Sequence, residues 1–182
     1  VEIVPKDEDH PNGRQIWMSD TKAEILEHVP LFNQLWQTET WPGKRILING
    51  LGLGVAVHAA LTYDGIGHID VVEKDADVIE LVGQYLTKDP RVTIHLGDAY
   101  HIRWPKGTKW DIAWHDIWPD ISDGNLEGMN LLANKYRNRV TWQASWQEES
   151  CKRMADVMRR LKDKTLSADE AYEALLGRGL LA

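Results

Sequence analysis

Lys44-Arg45-Ile46-Leu47-Ile48-Asn49-Gly50-Leu51-Gly52-Leu53-Gly54 is the stretch on which the fold turns. An apolar run bounded by Lys44 and Asn49 reads as a buried strand, and it runs directly into three glycines at alternate positions. A second strand, Ile69 to Val72, ends at Glu73. A strand, a glycine-rich turn, a helix and a second strand ending in a carboxylate describe a nucleoside-binding α/β site. The dinucleotide fingerprint asks for Gly or Ala at its last position. Val55 or Val57 stands there, depending on where the motif starts, which turns the reading away from a pyrophosphate-bearing cofactor.

The pattern continues on both sides. Beyond the turn, a helix is expected from about Gly54 to Leu61, and Asp75 can cap another reaching about Leu86. Strands are expected at Val92 to Leu96, Asp111 to His115 and Val140 to about Ala144. A loop over Asp116 to Asn125 and a helix over Leu126 to Tyr136 separate the last two. This alternation predicts a Rossmann-like, mostly parallel sheet with helices on both faces, truncated after the fifth strand. Ser150 to Lys162 reads as amphipathic, with Met154, Val157, Met158 and Leu161 on one side. Ser167 to Leu176 reads as a final short helix.

Upstream, residues 1 to 13 are polar and read as a loose arm, with a short strand over Arg14 to Met18. Thr21 and Glu24 have capping-box spacing for a helix toward Trp36 that Pro30 must kink or divide. Residues 1–43 are therefore expected to be an N-terminal arm and helical segment, and residues 44–182 the nucleoside-binding domain. The chain begins at Val1 rather than Met, which leaves room for an upstream segment.

Composition narrows the function classes. The 182 residues carry 21 basic and 28 acidic side chains, a net charge of -7 that disfavours extended nucleic-acid backbone binding. There is no apolar run of roughly 18 residues and no h-region, so neither a membrane span nor an export signal is expected. Cys151 is the only cysteine, which agrees with a reducing, cytoplasmic compartment; it reads as structural rather than nucleophilic. Nine Trp against one Phe is unusual. Most are expected as core or rim packing, and some as lining a pocket or a subunit contact, which leaves a homodimer open.

Individual residues suggest chemistry. Gly50, Gly52 and Gly54 permit close backbone approach to a ligand. Glu73 can accept from a ribose diol. Asp98, after the third strand, can accept from an exocyclic amine, while Ala99 leaves room for a flat ring. Asp116 ends the fourth strand, where open α/β sheets place their ligands, and it can bind an amino group or act as a base. Asp120 can orient a cationic substrate, and Trp118 can close over it. His115 reads equally as core-facing or catalytic. His95, His101 and His115 lack the spacing of a metal site, so no metal is expected.

Taken together, AEILEHVPLF (Ala23 to Phe32), KRILINGLGLG, HIDVVEKDADVIEL and DPRVTIHLGDA resemble the class I S-adenosylmethionine-dependent methyltransferase superfamily, and within it the spermidine-synthase-like branch. The resemblance implies S-adenosyl-L-methionine as cofactor. It would be bordered by Asn49, Gly50, Gly52 and Gly54 and held by Glu73, Lys74, Asp98 and Ala99, with Asp116 beside the methionine amino group or the acceptor. The leading reading is methyl transfer to a small acceptor, with Asp116 and Asp120 as catalytic residues that, where the acceptor is an amine, hold it or take its proton. The alternatives are a spermidine-synthase-like aminopropyl transfer and a non-catalytic module that keeps the fold. Asn49 stands where many methyltransferases carry an acid, and DIWPD departs from the usual aminopropyl-transferase loop.

Overall fold

Strands β1 (Lys44–Asn49), β2 (Ile66–Glu73), β3 (Val92–Leu96), β4 (Trp110–His115) and β5 (Val140–Ser145) form one parallel sheet in the order β3-β2-β1-β4-β5. The computed structural model describes residues 21–37 and 42–176. The expected N-terminal arm and the strand at Arg14 to Met18 lie outside them. Among the described residues no helix is long and apolar enough to cross a membrane.

Alternate residues of each inner strand serve two cores, as the pleat requires. Ile46 and Ile48 of β1, Ile69 and Val71 of β2, and Ile112 and Trp114 of β4 face one cluster. It is closed by helices α2 (Val29–Trp36) and α3 (Val55–Leu61), and by the segment made of α4 (Ala76–Val78), a π-helical turn at Ile79–Gly83 and α5 (Gln84–Leu86). Leu47, Val72 and Ala113 face the other cluster, closed by Leu132 and Tyr136 of α6 (Asn125–Tyr136). Two-sided burial is why these strands read as near-continuous apolar runs.

Asp70 is the exception in β2. Its carboxylate faces the second layer and receives His95 Nε2 at 2.8 Å, Trp110 Nε1 at 2.8 Å and Arg45 at 3.1 Å, with His68 at 3.3 Å. Burial opposes its ionisation, yet these donors outweigh it and hold the carboxyl below its ordinary range.

Helix α1 (Lys22–Glu27) begins at Thr21, whose hydroxyl accepts the Glu24 N–H at 3.4 Å. The expected division falls at His28, which caps the end of α1 and the start of α2. Pro30 sits in the first turn of α2, where its missing N–H costs nothing. Leu31 and Leu35 are fully buried in the same core as β1, so α2 is part of the sheet's packing. At the far end, α7 (Glu148–Lys162) keeps Val157 buried and Met154 and Leu161 half-buried on the expected side, and departs from it only at Met158. Cys151 and Val157 are its buried residues, whereas Met158 is 49% exposed. Helix α8 (Ala168–Leu176) packs against it.

Candidate functional site

The chain crosses from β1 to β2 in one direction and from β3 back to β4 in the other, so the strand order reverses between β1 and β4. Such a reversal opens a crevice beyond the carboxyl ends of the strands. Gly50 and Asp116 meet there. The Asp116 N–H donates to the Asn49 carbonyl at 2.8 Å, and a Cβ on Gly50 would stand 1.8 Å from the Asp116 carbonyl oxygen. Gly50 also has φ +97°, in the left-handed region. Gly54, the cap of α3, serves a different contact, because a Cβ there would press on Leu86 at 3.0 Å and Val82 at 3.3 Å.

Glu73 braces this turn. Its Oε2 accepts the Leu51 N–H at 2.8 Å and its Oε1 accepts the Asp75 N–H at 2.9 Å. Each oxygen keeps a lone pair for a further donor, so the turn and a ligand diol can share the carboxylate. Lys74, next to it, is exposed. Asp75 caps α4 through its Oδ1, to the N–H groups of Asp77 and Val78.

Asp98 holds the next loop. Its Oδ1 accepts the Tyr100 N–H at 2.6 Å, and His101 lies 3.2 Å from Oδ2. The carboxylate is half-exposed, while Ala99 is buried among Leu47, Val72 and Trp110. Lys135, which the sequence reading did not single out, donates from α6 to the carbonyls of Ala99 at 2.7 Å and Ile102 at 2.8 Å and fixes the loop from below. Tyr100 and Trp118 pack together over Gly128, where a Cβ would meet the tyrosine oxygen at 2.3 Å. The indole of Trp118 is therefore turned toward the second core.

Asn49 and His115 end their strands side by side and face inward. Asn49 Nδ2 donates to His115 Nδ1 at 2.7 Å, and His115 Nε2 donates to Gln143 Oε1 at 3.2 Å. Gln143 is oriented by its own donation to the Ala133 carbonyl. His115 is thus a neutral imidazole in the core, stacked on Tyr136, and burial pushes its pKa down to about 4. Of its two readings, the structure selects the core-facing one.

Asp116 turns the other way, toward α1. Its Oδ2 lies 3.1 Å from Nε2 of His28, a residue buried between Phe32 and Trp114. The first signal for His28 in the sequence is its place inside the family-like stretch Ala23 to Phe32. Asp120 is exposed on the loop beyond, with its carbonyl accepting Asn125 Nδ2 at 2.8 Å. A separate apolar groove of about 620 Å³ runs along the helical flank past Ile25, Phe32 and Tyr85. It shares Leu53 with the glycine turn, but none of the strand-end carboxylates line it.

Residues 19–121 match the family described as the spermine/spermidine synthase domain. A polyamine aminopropyltransferase from Pectobacterium carotovorum subsp. carotovorum (strain PC1) is 32% identical over 108 residues, which cover 56% of this chain and 36% of that enzyme. A second, from Pectobacterium atrosepticum, is 31% identical over the same shares. The chain thus aligns with about a third of the length of these relatives. Among solved structures, a candidate RNA methyltransferase from Pyrococcus horikoshii superposes with a TM-score of 0.54 at 16% identity, covering 74% of this chain and 64% of that one. That likeness concerns the fold, which is of the class I S-adenosylmethionine-dependent methyltransferase type.

Proposed function

Because the chain belongs to the spermine/spermidine synthase domain family, we propose that it transfers an aminopropyl group from decarboxylated S-adenosylmethionine to a small amine. Taken alone, the residues favour methyl transfer; the family match favours the aminopropyl reading, which is adopted here. One structural observation carries it. Asp116 stands at the strand-order reversal as an acid backed by a histidine, with Glu73 and Asp98 at neighbouring strand ends. An edge lined with carboxylates attracts two cations, a sulfonium donor that lacks its own carboxylate and an ammonium acceptor.

The residues fit the donor. The glycine turn brings its backbone directly against that of Asp116, Glu73 retains acceptor capacity for a ribose diol, and Asp98 for an exocyclic amine. When bound, the donor supplies a carbon made electrophilic by its bond to a sulfonium. The chain's task is positioning and proton handling. An acceptor amine reaches the site as an ammonium and must shed one proton before its lone pair can form the new C–N bond. Asp116 first draws the ammonium in and then takes that proton. The sulfur departs with the electron pair of the broken C–S bond as a neutral thioether.

The test is incubation with decarboxylated S-adenosylmethionine and a series of diamines, followed by mass spectrometry. Gain of one aminopropyl group per amine supports the reading. Transfer of a methyl group from S-adenosylmethionine in its place overturns it.

A further inference from the structure

His28 has an acceptor on each side. Its Nδ1 lies 3.0 Å from the Glu24 carbonyl oxygen and its Nε2 lies 3.1 Å from Asp116 Oδ2. A carbonyl oxygen can only accept, and an ionised carboxylate can only accept, so beside an ionised Asp116 both ring nitrogens donate. His28 is 7% exposed, and its ring packs against Phe32 of α2 and Trp114 of β4. The charged groups that act on it most strongly are Asp116 from the end of β4 and Glu27 from α1, whose carboxylate is itself held by Trp146 Nε1 at 3.0 Å.

We propose that His28 is a positioning residue: a buried, doubly protonated imidazolium that fixes the charge and orientation of Asp116 from the junction of α1 and α2. This rests on Asp116 being the acceptor-side acid of the function proposed above. The junction is well placed for the task. His28 closes α1 and opens α2, and α2 is anchored in the core by Leu31 and Leu35. The imidazolium cannot drift from the carboxylate without dragging packed backbone. Burial works against the charge, but the hydrogen bond and charge of Asp116, with the Glu24 carbonyl and Glu27, outweigh it and raise the pKa. Loss of either proton would set a bare ring nitrogen against an oxygen lone pair and free one rotamer of Asp116. A carboxylate that must meet an ammonium gains from that restraint, because it is held in one orientation.

Nitrogen-15 NMR of histidine-labelled full chain tests this without any substrate. Both His28 nitrogens are expected to show protonated shifts at pH 6.5, with a midpoint above that ordinary value. In Asp116→Asn that midpoint is expected to fall by roughly one pH unit or more. A single protonated nitrogen at pH 6.5, or a midpoint indifferent to Asp116→Asn, overturns the assignment. A second arm uses His28→Gln, which keeps a donor toward Asp116 without the charge. Its transfer rate is expected to lose the alkaline limb that in the wild type follows the His28 midpoint, at little change in donor affinity. An unchanged pH profile overturns the positioning role. If the wild type transfers nothing, the functional reading fails while the NMR arm still decides the state of His28.

Discussion

Gly50 and Asp116 lie so close that a Cβ on the glycine would stand 1.8 Å from the acid's own carbonyl oxygen. The strand that ends in the glycine turn and the strand that ends in the candidate catalytic acid are thus joined by backbone, with no room for a side chain between them. Gly50→Ala is expected to force the two strand ends apart and also to strain a φ of +97°. A cost above about 3 kcal/mol would lower Tm by on the order of 6–12 °C in a chain of this length. Gly43 is the control, since its φ is +86° but no atom lies within 4 Å of an added Cβ. Gly43→Ala should therefore cost markedly less by thermal unfolding. Equal losses would show that backbone conformation, and not the contact with Asp116, governs the site.

Glu73 is expected to act twice, as brace and as ligand acceptor. Glu73→Gln replaces one accepting oxygen by a donor that must face an N–H of the chain. Amide hydrogen exchange at Leu51 should quicken, reporting loss of a charge-assisted bond worth about 1.5–3 kcal/mol. Donor affinity should fall by about tenfold or more in the same variant. Faster exchange without loss of affinity would leave Glu73 as a brace alone.

How the strand ends were legible, and how their partners were not, follows from sequence separation. The apolar run of β1 and the glycines after it are contiguous, so β1, the turn and Glu73 can be read by inspection. β2 begins earlier than expected, at Ile66, because Gly67 interrupts the apolar pattern; that glycine exists to pass Gly43, whose Cα would lie 2.8 Å from a Cβ. The Asp75 helix contains a π-helical turn that no local pattern announces, where Gly83 packs within 2.8 Å of Ile94 if given a Cβ. The site roles of His28 and Lys135 were not legible for another reason. Their partners lie 88 and 36 residues away, and neither residue belongs to a motif whose chemistry is local. Asn49 and His115 carry side chains suited to a ligand, yet the pleat turns both inward, a fact set by the register of β1 against β4.

The two histidines near these strand ends should give stability opposite dependences on pH. His115 is neutral in the folded chain, with its pKa lowered to about 4, so the unfolded chain binds the extra proton first. Stability is then lost as pH falls from about 6.5 toward 4, by about 3 kcal/mol for this one group. His28 has a raised pKa, so its contribution is present below about 6.5 and is lost as pH rises through its folded value. Denaturant midpoints measured from pH 4 to 9 should show both limbs. His115→Asn should flatten the acid limb and His28→Gln the alkaline one. A variant that flattens the opposite limb would contradict the assigned charge states.

The central claim, that a carboxylate-lined crevice serves a donor lacking its own carboxylate, is tested most directly by titration calorimetry. Purified protein is titrated with decarboxylated S-adenosylmethionine and, separately, with S-adenosylmethionine under the same salt and pH. The account predicts binding of both, with the decarboxylated donor tighter by about tenfold or more, corresponding to about 1.4 kcal/mol. Tighter binding of the carboxylated donor, or heat from neither, would contradict it.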